Sequence, residues 1–247
     1  MTADPMAPAL SVVVPVHDEA DNIAPLVHEI AQALDGRLPY EIVYVDDGSA
    51  DRTAATLAAL RRTHRNLRSL RHRRRAGQSA ALRTGIRAAR AAWIVTLDGD
   101  GQNDPADIPA LLARRDQMGE GNLLIAGIRV NRQDSLAKRR ASRIANAIRR
   151  RLLADAAQDT GCAIKLFPRQ AFLDLPFFDH MHRFLPALFR TAGLTLIEHP
   201  VNHRPRTQGR SHYGIVDRAM VGLIDLIGVA WLQRRNARPD IEPEDQQ

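Results

Sequence analysis

The run Trp93-Ile94-Val95-Thr96-Leu97 leads directly into the acidic stretch Asp98-Gly99-Asp100-Gly101-Gln102. The first five residues are apolar or β-branched, which is typical of a buried strand. Two aspartates follow one residue apart, where that strand ends. Their carboxylate oxygens suit a hard cation such as Mg²⁺ or Mn²⁺, to which phosphate groups add further oxygen ligands. Taken alone, the stretch is equally compatible with a solvated acidic turn.

Earlier in the chain, two apolar runs also end in polar residues. Leu10 to Val14 is followed by Pro15, and Tyr40 to Val45 is followed by Asp46-Asp47-Gly48-Ser49. Helical spacing separates these runs, so the order of elements predicts a mostly parallel sheet flanked by helices. Such sheets bind ligands at the carboxyl ends of their strands. The elements predicted in this half are strands at 10–14, 40–45, 67–70 and 93–97 and helices at 22–34, 51–60 and 78–91.

The second half of the chain is less regular. It predicts a helix at 108–118, strands at 123–128, 163–167 and 194–201, and a strongly basic helix at 136–153. In that basic helix we expect Arg140, Arg149 and Arg150 on a solvated face or against anionic lipid. The apolar stretch Ile215 to Leu232 is too interrupted to span a bilayer. It is compatible with a core helix and with a helix in the membrane interface.

The composition favours an acidic or phosphorylated partner. The 247 residues carry a net charge of +7, with 45% hydrophobic and 26% charged residues, and a basic balance attracts nucleic acid, anionic lipid or phosphorylated ligands. Aromatic residues make up only 4%, and no zinc finger or aromatic RNA-binding signature is present. We therefore expect no nucleic-acid partner. The single cysteine, Cys162, excludes an internal disulfide and fits a reducing compartment.

Several linked motifs resemble the family-2 inverting glycosyltransferases. Pro15-Val16-His17-Asp18-Glu19-Ala20-Asp21-Asn22-Ile23 is similar to their opening motif, and Asp46-Asp47-Gly48-Ser49-Ala50-Asp51-Arg52-Thr53 matches their D-D-G-S-x-D-x-T. Asp98-Gly99-Asp100-Gly101-Gln102-Asn103-Asp104-Pro105 resembles the D-x-D-x-Q-x-x-P of the polyprenyl-phosphate hexose synthases, the dolichol-phosphate mannosyltransferase-like branch. Further motifs of that branch follow in order: Gly77, Ala81 and Gly85; Gly127-x-Arg129; Lys138-Arg139 with Ser142-Arg143 and Asn146; Asp159-Thr160-Gly161; and Arg206-x-x-Gly209-x-Ser211. The sequence departs from the family at His17, Asp18, Ile164 and His212.

The resemblance implies an α/β GT-A fold, with residues 1–213 as the catalytic domain. The apolar composition of residues 214–236 predicts an amphipathic membrane-interface segment. The polar, acidic composition of residues 237–247 predicts a disordered tail. The resemblance also implies Mg²⁺ or Mn²⁺ as cofactor, a nucleotide diphosphate sugar as donor and a polyprenyl phosphate as acceptor. The nucleotide-sugar pocket would be lined by Pro15, His17, Glu19, Asp47 and Asp98. The metal ligands would be Asp98, Asp100 and Gln102.

The acceptor phosphate brings negative charge toward the diphosphate, so the branch requires cationic side chains near it. Arginine suits this task because its guanidinium forms forked contacts with phosphate. We expect the acceptor-phosphate contacts to be Arg129, Lys138, Arg139, Arg206 and Ser211. Among all site residues, the direct catalytic parts are expected for Asp100, Arg129 and Arg206. Asp159 is expected to orient the arginines.

Three interpretations of function follow, in decreasing order of support. The first is a metal-dependent, inverting polyprenyl-phosphate sugar synthase, peripheral on the cytoplasmic face of the membrane, with room for a membrane-anchoring protein or a second copy as partner. The second is a family-2 transferase acting on a sugar hydroxyl in surface polysaccharide synthesis, which needs a carboxylate general base. The third is a catalytically silent module that binds nucleotide sugar or membrane.

Overall fold

The computed structural model describes residues 7–119, 121–130, 149–153, 157–205 and 215–236, with side chains from residue 222 onward in the last range. Within these residues a seven-stranded sheet forms the centre of the molecule, in the order β3-β2-β1-β4-β6-β5-β7. The strands are β1 Leu10–Val16, β2 Tyr40–Asp46, β3 Leu67–Arg71, β4 Trp93–Thr96, β5 Leu123–Arg129, β6 Lys165–Pro168 and β7 Thr195–Val201.

The sheet is mostly parallel, as the alternation of strand and helix signals predicts. Strand β1 pairs in parallel with β2 and with β4, β2 with β3, and β5 with β7. Strand β6 is the exception, because it lies antiparallel between β4 and β5. The central strands are buried along their length, which fits a sheet that is covered on both faces.

Helices cover the two faces of the sheet and divide the core into two clusters. The long helices are α1 Ala20–Leu34, α2 Thr53–Leu60, α3 Gln78–Ala88, α4 Ile108–Met118 and a C-terminal helix Ile215–Arg235; shorter helices span Arg169–Leu173 and Leu185–Thr191, and 3-10 turns span Pro105–Asp107 and Met181–Phe184. Residues 149–153 are also helical.

Helix α3 lies unusually close to the sheet. A Cβ built on Gly85 would meet Val13 Cγ1 at 2.6 Å and Val45 Cγ2 at 3.0 Å. The small residues Ala81 and Gly85 are both buried on this face of the helix. Small residues at these two positions therefore allow α3 to pack close to the sheet. This packing sets the distance between the first turn of α3 and the strand ends.

Over its described side chains, residues 222–235, the C-terminal helix packs against the domain along one side. Leu226 and Val229 are buried in the second core cluster, and Gln233 Nε2 donates a hydrogen bond to Thr191 Oγ1 at 2.9 Å. The opposite side exposes large apolar side chains, which are Leu223, Ile224, Ile227 and Trp231. Among the described residues, no helix has the length and apolar character needed to cross a membrane.

Candidate active site

Three polar segments meet at one edge of the sheet, as the sequence predicts. In the strand register Val16 lies beside Asp46, and Val13 lies beside Thr96. Strands β2, β1 and β4 are adjacent and parallel, so their carboxyl ends place residues 15–19, 46–49 and 98–102 side by side. This edge is where an open parallel sheet binds its ligands.

Asp47 organises the loop that precedes α3. Its buried carboxylate accepts hydrogen bonds from His72 Nδ1 at 2.7 Å and from the backbone N–H groups of Ala76 and Gly77, both at 2.8 Å. The loop passes directly over Gly48, whose Cβ, if present, would lie 2.6 Å from the backbone nitrogen of Arg75. The basic run at 71–75 therefore lies on the D-D-G-S turn, a placement that sequence reasoning missed. The predicted contact of Asp47 with a nucleoside stays a prediction.

The segment after β1 is joined to the segment after β2. His17 Nδ1 lies 2.9 Å from the carbonyl oxygen of Asp47. Asp18 adopts a left-handed conformation with φ 54°, and its Oδ1 accepts the backbone N–H of Ala50 at 2.8 Å. Glu19 accepts a hydrogen bond from Asn22 Nδ2 at 2.6 Å, and Pro15 is buried in β1. Within this segment, the structure brings His17 into direct contact with Asp47, and the predicted parts of Pro15 and Glu19 stay predictions.

Asp98 and Asp100 lie at the end of β4, on the same edge. Gln78 Nε2 donates to Asp98 Oδ1 at 2.8 Å, and the backbone N–H of Gln102 donates to Asp100 Oδ1 at 3.1 Å. Burial, followed by the negative charge of Asp100, raises the pKa of Asp98 to about 6, against the opposing effect of Lys165 and Arg129. The Asp98 and Asp100 carboxylates, both partly accessible to solvent, therefore repel each other. A bound divalent cation would offset this repulsion.

Gln102 is held at the site by a backbone exchange with a later segment. The N–H of Arg204 donates to the carbonyl of Gln102 at 3.0 Å, and Gln102 Nε2 lies 3.4 Å from the carbonyl of Arg204. The Arg204 guanidinium pairs with Asp104 at 2.7 Å and with Glu29 at 2.8 Å. Because Gln102 contacts the Arg204 carbonyl through its amide nitrogen, its side-chain oxygen stays available to a ligand.

Arg129 forms a two-pronged ion pair with Asp159. Arg129 Nε donates to Asp159 Oδ2, and Nη2 donates to Oδ1, both at 2.7 Å. Gly161 makes room for this pair, because a Cβ there would lie 3.0 Å from Nη2. This geometry agrees with the prediction that Asp159 orients Arg129. The ion pair occupies two of the three guanidinium nitrogens of Arg129.

A cavity of about 240 Å³ opens beside Asp98. Its lining includes Gln78, Lys165, His182 and Arg183, none of which is among the predicted site residues. Lys165 is buried, and its Nζ donates to the carbonyl of Cys162. Burial lowers the pKa of Lys165, while the charge of Asp98 acts to raise it. These residues come from β6, from α3 and from the turn at 181–184, so only the folded structure brings them to one cavity.

Several predicted residues lie outside the described part of the structure. They are Lys138, Arg139, Arg140, Arg206 and Ser211. Arg149, at the end of the basic segment, is described, and the expectation that it faces solvent or lipid is wrong. Its side chain is buried and donates to the carbonyl of Ala157 and to Thr160 Oγ1, because it connects the basic segment to the loop that carries Asp159. Arg150 is exposed, as expected.

The described residues contain no group of three or more histidine, cysteine, aspartate or glutamate side chains arranged to hold a metal ion. Asp98 and Asp100 therefore supply a donor set of two carboxylates. Such a set fits a hard cation that takes its remaining oxygen ligands from a phosphorylated substrate or from water. It does not fit a closed structural zinc site, which needs four protein ligands.

Comparison with known proteins identifies close relatives of the sequence. The profile of Glycosyl transferase family 2 matches residues 11–175. The dodecaprenyl-phosphate galacturonate synthase of Rhizobium johnstonii is 37% identical over 241 residues, which cover 93% of this chain and 69% of that protein. The undecaprenyl-phosphate 4-deoxy-4-formamido-L-arabinose transferase of Edwardsiella ictaluri is 34% identical over 209 residues, which cover 84% of this chain and 63% of that protein. The chain therefore spans between 63% and 69% of the length of these relatives.

Solved structures of glucosyl-3-phosphoglycerate synthase from Mycobacterium tuberculosis share the fold. The complex with Mn²⁺, UDP and glucosyl-3-phosphoglycerate has a TM-score of 0.68 at 20% identity, covering 92% of this chain and 80% of that chain. The complex with Mg²⁺ and UDP has a TM-score of 0.67 at 18% identity, covering 92% and 79%. At this level of identity the likeness establishes the fold alone, and it confirms the predicted GT-A architecture.

Proposed function

Because the chain belongs to glycosyl transferase family 2, we propose that it transfers a sugar from a nucleotide diphosphate sugar to a polyprenyl phosphate. One observation carries the proposal. The cavity at the strand ends combines the Asp98 carboxylate with two cationic side chains, Lys165 and Arg183, and Asp98 is the only carboxylate among the described residues that line it. The relatives from Rhizobium johnstonii and Edwardsiella ictaluri are named for sugar transfer to dodecaprenyl and undecaprenyl phosphate, which supports the same acceptor class.

The charge balance of the cavity favours a phosphate as the nucleophile over a sugar hydroxyl. A phosphate oxygen is already ionised near neutral pH, so its attack on the anomeric carbon needs no general base. A hydroxyl acceptor would need a second carboxylate to take its proton. Among the described lining residues, Asp98 is the only carboxylate, and it already forms the acidic pair with Asp100. Cationic groups, in contrast, offset the charge that a second phosphate brings.

The acidic pair fits Mg²⁺ or Mn²⁺, and Asp98, Asp100 and the side-chain oxygen of Gln102 would hold the ion. A bound divalent cation neutralises the diphosphate and stabilises the charge on the leaving group. The protein contributes the position of these ligands. Gln78 holds Asp98, and the backbone of Gln102 holds Asp100. The Mn²⁺ and Mg²⁺ complexes of the Mycobacterium tuberculosis synthase support this choice of ion by analogy of fold.

Arg129 is the proposed contact to the acceptor phosphate within the described residues. Asp159 fixes the plane of its guanidinium and engages Nε and Nη2, which leaves Nη1 to donate to a phosphate oxygen. Arg206, Lys138, Arg139 and Ser211 complete the proposed phosphate site. Pro15, His17, Glu19 and Asp47 form the proposed nucleoside pocket on the other side of the acidic pair.

We place the protein on the cytoplasmic face of a membrane, where a polyprenyl phosphate presents its head group. The exposed apolar side of the C-terminal helix, with Trp231 next to Arg234 and Arg235, supports an interfacial position. The membrane-anchoring partner and the second copy that the sequence leaves room for stay predictions.

The proposal is tested by incubating the purified chain with a polyprenyl phosphate, Mn²⁺ or Mg²⁺, and radiolabelled UDP- and GDP-sugars. We expect a lipid-extractable labelled product with at least one donor, formed only when a divalent ion is present. Asp100→Asn should lower its rate of formation by about 100-fold or more, since it removes one charge from the acidic pair.

Asp116→Asn is the matched control, because Asp116 is an exposed carboxylate on α4 that bonds only to Arg115 among the described residues. It should keep the rate of the unmodified chain. Absence of a labelled lipid with every donor, or full activity of Asp100→Asn, would contradict the proposal.

A further inference from the structure

His182 lines the cavity beside Asp98 but has no part in the chemistry described above. It belongs to the 3-10 turn Met181–Phe184, which packs against the first turn of α3. Gln78 and Ser79 are consecutive residues in that turn of α3. Gln78 holds Asp98, and Ser79 holds His182. Adjacent residues of α3 therefore hold Asp98 and His182, and both of these side chains line the same cavity.

The contacts of Ser79 determine which ring nitrogen of His182 carries the proton. The fully buried Ser79 hydroxyl accepts the backbone N–H of His182 at 3.3 Å, and its Oγ lies 2.8 Å from His182 Nδ1. The described residues offer this hydroxyl no other acceptor, so its single proton goes to Nδ1. A ring whose Nδ1 accepts a hydrogen bond carries its proton on Nε2.

The surroundings keep the ring uncharged. Burial, together with the positive charges of Arg183 and Lys165 and the neighbouring His180, lowers the pKa of His182 to about 3. Nε2 has no hydrogen-bond partner among the described residues. It is also absent from the fully buried polar atoms that lack a partner, so it is accessible from the cavity. The ring therefore presents a neutral N–H donor to the cavity, on the side away from Ser79.

We propose that His182 Nε2–H is a specificity-determining hydrogen-bond donor to the sugar of the bound nucleotide sugar. The inference rests on the proposed function, since it assigns a contact within that donor site. A neutral donor suits a hydroxyl or carbonyl oxygen, whereas the cationic groups of the site suit phosphate. The adjacent lining by Leu82 and Leu185 is apolar and suits the C–H faces of a sugar ring. A cavity of about 240 Å³ has room for a single hexose.

The test uses two substitutions that separate the ring nitrogens. In His182→Asn the amide stands near the position of Nδ1, so it keeps a partner for Ser79 and loses the cavity donor. In His182→Gln the amide reaches the position of Nε2, so it keeps a cavity donor and loses the Ser79 contact. Binding of UDP-glucose, UDP-galacturonic acid and GDP-mannose is measured by calorimetry with Mn²⁺ on the full chain. The sugar-free ligands UDP and GDP are measured in parallel.

We expect His182→Asn to weaken binding of the preferred nucleotide sugar by about three- to ten-fold, the effect of one lost hydrogen bond. Binding of the matching nucleoside diphosphate should not change. His182→Gln should keep most of the affinity for the nucleotide sugar. The opposite ranking, or an equal loss for the nucleotide sugar and the diphosphate, would show that His182 only connects the 3-10 turn to α3. A wild-type chain that binds UDP or GDP but no nucleotide sugar would overturn the inference alone, and one that binds none of the five ligands would overturn the proposed function with it.

Discussion

Gly99, the residue between the two aspartates, shows how closely the acidic pair is fitted to the sheet. A Cβ at this position would lie 2.3 Å from Val16 Cγ1 and 3.1 Å from the carbonyl oxygen of Pro15. Gly99→Ala should therefore move the end of β4 away from β1 and carry both carboxylates with it. We expect a fall of about 100-fold in sugar transfer, since a shift of about 1 Å in a catalytic group has that effect. The labelled-lipid assay measures the rate, and thermal melting measures the loss of stability, which should be about 1–3 kcal/mol.

The control for this substitution is Gly121→Ala. No atom lies within 4 Å of the Cβ that alanine would add there, so both transfer and melting temperature should stay close to those of the unmodified chain. Equal transfer rates for the two variants would mean that the position of the acidic pair does not limit the reaction.

The residues of the site divide into those that the sequence could predict and those that it could not. Asp47, Asp98 and Asp100 were predictable because each lies in the segment that follows a strand, and parallel strand ends converge. Ser79 and His182 were not, because 103 positions separate them in the chain, and Ser79 is an unspecified position within the Gly77–Ala81 spacing. Lys165 reads as part of an apolar strand, and only the folded structure shows that its ammonium group is buried beside the acidic pair.

At the scale of elements, Glu41 joins three strands to the end of α3. Its buried carboxylate accepts hydrogen bonds from Ser11 Oγ at 2.7 Å, from Arg68 Nη1 at 2.7 Å and from the backbone N–H of Arg90 at 2.6 Å. Burial alone would raise the pKa of Glu41, but these hydrogen bonds outweigh it and hold the pKa below its usual value of 4.5. The contacts are therefore worth most while the carboxylate is ionised.

Glu41→Gln should lower the free energy of unfolding at pH 7 by about 2 kcal/mol, since hydrogen bonds to a charged group are lost and Arg68 keeps an uncompensated charge. In the unmodified chain this contribution is fully present above about pH 4.5. It is lost as the pH falls through the lower pKa of the folded state, because the unfolded chain binds the proton more readily. Urea denaturation at pH 7 and at lower pH measures both effects. A difference between the two proteins that does not shrink on acidification would contradict this account.

The order of elements could be read from the sequence for most of the sheet, but the direction of β6 could not. Strands separated by helices imply parallel neighbours, and β1 to β4 follow that rule. The apolar run at 163–167 predicts a strand without indicating its direction, since a buried antiparallel strand has the same composition. The structure places β6 antiparallel between β4 and β5, at Lys165–Pro168. That insertion brings Lys165 next to the end of β4.

At the scale of the whole molecule, the C-terminal helix has two unlike sides. Leu226 and Val229 pack into the core, while Ile224 and Ile227 are 66% and 61% exposed on the other side. The buried side of this segment fits the interpretation as a core helix, and the exposed apolar side fits the interpretation as an interfacial helix. One side meets the domain, and the other presents an apolar stripe next to the basic end of the helix, as interfacial helices do.

The apolar stripe leads to a prediction about binding to membranes. The double variant Ile224→Glu with Ile227→Glu should reduce co-sedimentation with phosphatidylglycerol-containing vesicles by about ten-fold or more, because it removes two apolar side chains from the lipid and adds negative charge. Its melting temperature should stay near that of the unmodified chain, since Leu226 and Val229 still pack against the domain. Met118→Glu is the matched control, because Met118 is 48% exposed at the end of α4, and α4 packs into the first core cluster rather than the one that holds Leu226 and Val229. This variant should bind vesicles normally. Equal losses in both proteins would indicate a general charge effect, whereas a loss confined to the double variant would identify this helix as the side of the molecule that meets the lipid.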